Sequence, residues 1–86
     1  MTRLPDHVLK LLRTVAEYDT GDGVTFHAVP RGRWQLVEHT RSYAVLARTF
    51  YPLTTRGLLE VGGDDPLAVP VAITDAGRAY LAGIGR

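Results

Sequence analysis

The chain has 86 residues, 45% of them hydrophobic and 22% charged, with a net charge of +1 and no cysteine. Such a composition excludes disorder over most of the length. The length supplies one domain with a modest core, and the absence of cysteine excludes disulfides, thiolate catalysis and cysteine-ligated zinc. No apolar run reaches the roughly 18 residues of a membrane span, and the start, Met1 to Asp6, leads into no apolar stretch of secretory length. A cytoplasmic protein is the expectation.

The small net charge conceals a segregation. Residues 24–57 hold Arg31, Arg33, Arg41, Arg48 and Arg56 against Glu38 alone, whereas residues 58–77 hold Glu60, Asp64, Asp65 and Asp75 and no base. Every basic residue except Lys10 is arginine, whose planar fork suits phosphates and base edges.

In chain order, Pro5 to about Tyr18 reads as a helix. Pro5 and Asp6 suit its first turn, and Val8, Leu11, Leu12 and Val15 make one apolar stripe. Asp19 to Gly23 turns the chain. Val24 to Val29 alternates as a short strand that Pro30 stops. Gly32 to His39 reads as a short helix with Trp34 and Val37 inward. Thr40 and Ser42 are candidate N-caps for a longer helix over 43–55, with Leu46, Phe50 and Leu53 inward. Pro52 lies inside that run and either kinks or ends it. Gly57 fits a helix terminus. Leu58 to Val61 and Leu67 to Ile73 read as a hairpin around Gly62-Gly63-Asp64-Asp65-Pro66, with Pro70 marking an edge or a bulge. Thr74 caps a final helix from Asp75 to about Leu81, and Gly83 to Arg86 frays.

Two segments resemble a known family. Leu53-Thr54-Thr55-Arg56-Gly57-Leu58-Leu59 is similar to the passage from recognition helix to wing in bacterial winged-helix regulators. Ile73-Thr74-Asp75-Ala76-Gly77-Arg78-Ala79-Tyr80-Leu81 resembles the segment that closes the wing in MarR-like and PadR-like regulators. The resemblance implies an α+β winged helix-turn-helix domain, core about 6–81, with a three-helix core, a two-stranded hairpin wing and a C-terminal helix. It further implies a small homodimeric transcriptional regulator that binds double-stranded DNA. The chain departs from the pattern at the acidic Gly62-Gly63-Asp64-Asp65 and at Pro52.

On that reading the helix over 43–55 enters the major groove, with Arg41, Ser42, Tyr43, Val45 and Arg48 near the bases, while Arg31 and Arg33 hold phosphates. The acidic wing and near-neutral charge point instead to a winged-helix protein-interaction module without DNA binding. Trp34 reads as core, with stacking on a base as the alternative, and Tyr43 as core, nucleic-acid contact or dimer contact. His7, His27 and His39 show no metal-ligand spacing. Ser42, the lone serine, lies in no nucleophile-elbow sequence, and the glycine pairs do not make phosphate loops. No enzyme activity, cofactor or metal is expected.

Overall fold

A computed structural model describes residues 4–37, 43–63, 65 and 68–84. Helix α1 (Asp6–Tyr18) begins where the Pro5 carbonyl accepts the N–H groups of Val8 (3.1 Å) and Leu9 (3.0 Å). Its stripe of Val8, Leu11, Leu12 and Val15 is buried, together with Leu9. Each such side chain contributes about 1.5–3 kcal/mol by leaving water. The helix stops at Asp19, whose backbone is extended.

Strand β1 (Val24–Val29) pairs antiparallel with β2 (Arg33–Leu36), which pairs with β3 (Ala44–Leu46). A 3₁₀ turn (Ala47–Phe50) leads into the short helix α2 (Tyr51–Thr55). Strands β4 (Leu59–Val61) and β5 (Val69–Ile73) form a second antiparallel pair, and α3 (Asp75–Ile84) closes the described chain. The sheet order is β3-β2-β1-β5-β4. The first half of β1 pairs with β5 and its second half with β2, meeting at Phe26. The sheet therefore curls about β1.

Pleating sorts the residues. Val24, Phe26, Leu36, Leu59, Val69 and Val71 face the core and are buried. Positions on the other face, such as His27, Arg33, Gln35, Glu60 and Pro70, are exposed or half-buried. Phe50 anchors the 3₁₀ turn in the core: its ring meets Phe26 edge-on and Trp34 at a tilt, both with centroids 5.0 Å apart.

These elements overturn the winged helix-turn-helix expectation. Among the described residues, the expected three-helix core with a two-stranded wing is replaced by three α-helices and a five-stranded curled sheet. The segment read as a helix from Gly32 is β2, where Trp34 and Leu36 turn inward and Arg33 outward. The expected helix over 43–55 is a strand, a 3₁₀ turn and a five-residue helix. Pro52 sits in the first turn of α2, where its missing N–H is no loss, so it neither kinks nor ends a longer helix. Phe50 and Leu53 are buried as expected, but Leu46 (39% exposed) and Val37 (51%) are not. Pro70 lies in a central strand rather than at an edge. Its carbonyl accepts the Gly62 N–H at 3.0 Å, so its nitrogen faces the β4 side rather than β1, and the missing donor is confined to the last rung, beyond the end of β4. The last helix runs to Ile84, past the expected fraying point at Gly83.

Two polar junctions lock the elements. Asp19, 6% exposed, accepts the N–H groups of Gly21 and Gly23 on Oδ1 (both 2.9 Å) and of Ile73 on Oδ2 (3.0 Å), and its carbonyl accepts Arg78 Nη2 at 2.9 Å. Thr74 caps α3, as its sequence position implies: its hydroxyl accepts the Gly77 N–H (3.0 Å) and donates to the Gly57 carbonyl (2.6 Å). Gly77 is packed against the Leu58 carbonyl, and a Cβ there would also stand 2.8 Å from Ile73 Cγ1.

Candidate nucleic-acid interface

Pro30-Arg31-Gly32 joins β1 to β2 as a three-residue loop, closed by the Val29–Arg33 pair. Arg31 (φ 69°) and Gly32 (φ 67°) are both left-handed. Glycine takes this conformation freely, whereas an L-residue with a Cβ pays about 1–2 kcal/mol. The Ala47 N–H donates to the Gly32 carbonyl at 2.9 Å, and Arg33 lies opposite Leu46 across the β2–β3 ladder. Arg31, Arg33 and Arg48 thus meet at one corner of the sheet, each exposed. Among the described residues none of these guanidinium groups has an ion-pair or hydrogen-bond partner.

Among the described residues, the acidic side chains of the segment 58–77 lie elsewhere. Glu60 is on β4, the opposite edge strand, and Asp65 follows it. Arg31 and Arg33 thus lie on one side of β1, and Glu60 on the other.

Beside Arg48 is a shallow hollow, open to solvent, lined by Trp34, Ala47, Arg48, Phe50, Tyr51 and Val61, with Thr54 at its side. Trp34 on β2 and Val61 on β4 are three strand spacings apart, about 14 Å in a flat sheet. The curl brings them around one hollow, which the 3₁₀ turn and α2 floor. Its wall is almost entirely apolar. Tyr51, 71% exposed, stands at the rim next to Arg48, and Trp34 is half-buried.

Of the residues expected to contact DNA, the structure brings Arg31, Arg33 and Arg48 together. Arg41 and Ser42 lie outside the described residues. Tyr43 is half-buried, with Lys10 Nζ 5.8 Å from its ring centroid on α1. Burial raises its hydroxyl pKa above the ordinary tyrosine value, against a hydrogen bond with Thr14 that lowers it. Val45 sits opposite Trp34, half-buried on the core side. Neither residue joins the arginine corner, because β3 turns both toward the packed interior. Sequence reasoning missed Tyr51. The tandem Phe50-Tyr51 was the available signal, since two adjacent aromatics cannot share one side of a helix or strand.

No protein-family model, curated protein or solved structure matches this chain. Among the described residues no helix is long and apolar enough to cross a membrane.

Proposed function

We propose that this domain binds nucleic acid, with Arg31, Arg33 and Arg48 gripping phosphates. The observation that carries this reading is the placement of three exposed arginines, without an ion-pair partner among the described residues, on a hairpin and its adjoining turn held together by backbone hydrogen bonds. One of them occupies a backbone position that glycine would fill at lower cost, which sets the charge of Arg31 above the local backbone preference. Contact is made by the hairpin and its adjoining turn, because no long helix is there to enter a major groove.

Three phosphate contacts imply a salt dependence with slope of about −2 to −3 in log affinity against log salt. Tight binding by so few contacts calls for a second copy of the chain on the same nucleic acid, which would double the slope. Titration of labelled DNA from about 50 to 200 mM salt should give that slope. An Arg31→Ala/Arg33→Ala/Arg48→Ala variant should keep its fold and flatten the dependence. Absence of binding by folded protein at the lowest salt, or an unchanged slope in the variant, would overturn the reading. The apolar hollow favours a second one, a protein-interaction module; a salt-resistant complex with a protein, without nucleic-acid retention, would establish it.

A further inference from the structure

We infer that the hollow beside the arginine corner is a nucleobase site, so that the preferred ligand is a single strand. This inference rests on the proposed phosphate grip and specifies the form of nucleic acid it serves.

The argument is one of charge and shape together. The hollow offers an apolar lining from half-buried Trp34 and Val61 and exposed Tyr51, with Phe50 beneath, while the cation at its lip is Arg48. A ligand complementary to both has an uncharged planar face joined to an anion a few ångströms away. A nucleotide is that chemistry: the base enters the hollow or stacks on Tyr51 and its phosphate meets Arg48, while Arg31 at the turn and Arg33 on the outer face receive phosphates of a strand that passes over the sheet's corner. A purely apolar peptide side chain would use the wall and leave the arginines idle. A duplex would use the arginines and leave the hollow empty, because its bases are stacked away from the protein. Unpaired bases are what an aromatic rim can take up. Tyr51 is suited to the rim because it is 71% exposed, and its removal costs the core little.

Trp34 is the sole tryptophan and lines the hollow, so its fluorescence reports occupancy directly. The experiment titrates the whole chain with oligothymidylate and oligouridylate of about ten nucleotides, with a duplex of equal length, and with heparin as a polyanion without bases. Wild type is compared with Tyr51→Ala, Tyr51→Phe and the triple arginine variant. The expected result is quenching of Trp34 by the single strands alone and stronger binding to them than to duplex. Tyr51→Ala should weaken single-strand binding about 5- to 150-fold, Tyr51→Phe should restore it, and duplex affinity should not move. The deoxy and ribo arms separate DNA from RNA. Equal affinity for duplex and single strand, with unchanged Trp34 emission and a neutral Tyr51→Ala, would overturn the base site while leaving the phosphate grip standing. Loss of all binding in the arginine variant beside intact wild-type binding tests the grip by itself. No binding of any nucleic acid by folded wild type would overturn both and leave the hollow to a protein side chain.

Discussion

At the scale of single residues, Asp19 does the most to unite the fold, since its carboxylate gathers N–H groups from its own turn and from the end of β5. Burial pushes its pKa up, but the N–H donors of Gly21, Ile73 and Gly23, helped by the Arg78 charge, outweigh this and hold it below the ordinary value of 3.8. A folded-state value below the unfolded one stabilises the protein above the unfolded pKa, and this is lost as pH falls through the folded pKa. Thermal melts should therefore weaken from about pH 5 downward. In Asp19→Asn the acid sensitivity should shrink, and stability at neutral pH should drop by about 1–3 kcal/mol, because an amide nitrogen faces an N–H donor. Equal acid sensitivity in the two proteins would remove Asp19 from this role. The sequence marks Asp19 only as a turn residue; its link to Ile73 spans 54 positions and has no local signature.

At the scale of elements, the β1–β2 hairpin carries both strain and charge. Relief of the left-handed strain at position 31 is worth about 1–2 kcal/mol, and glycine's greater unfolded freedom returns about 0.5–1. Arg31→Gly should thus stabilise the domain by roughly 0.5 kcal/mol while weakening nucleic-acid binding. Arg31→Ala should weaken binding with no gain in stability. Denaturant midpoints of the two variants decide the point. The same hairpin shows where the sequence was hard to read. Helix α1, the β4–β5 pair and α3 were legible because long stripes, glycine turns and a capping threonine each act locally. Strands β2 and β3 have four and three residues, too short for a period of two to outvote a period of 3.6. Pro30-Arg31-Gly32 was a hairpin signal between the two apolar runs, and Leu46-Phe50-Leu53 mimicked a helical stripe. The arginine cluster was visible as composition, but a helix was expected to present it. The hollow was invisible, because it exists only when the sheet curls.

At the scale of the whole molecule, β1 joins the two halves of the sheet. Its second half pairs with β2 across a three-residue loop, whereas Val24 meets Val71, 47 positions away (71 − 24). Closing the long connection costs more chain entropy than closing the short one, so the order of assembly follows from the split pairing. The meander from β1 to β3 should be formed in the folding transition state, and docking of β5 and α3 should come after it. Leu36→Val should slow folding, whereas Val71→Ala should chiefly speed unfolding, each measured by stopped-flow kinetics in denaturant. The reverse pattern would put β5 in the nucleus. With the expected order, a chain still on the ribosome presents the arginine hairpin before β4, which carries Glu60, has been placed, so a polyanion of the proposed kind would meet it before its own sheet is complete.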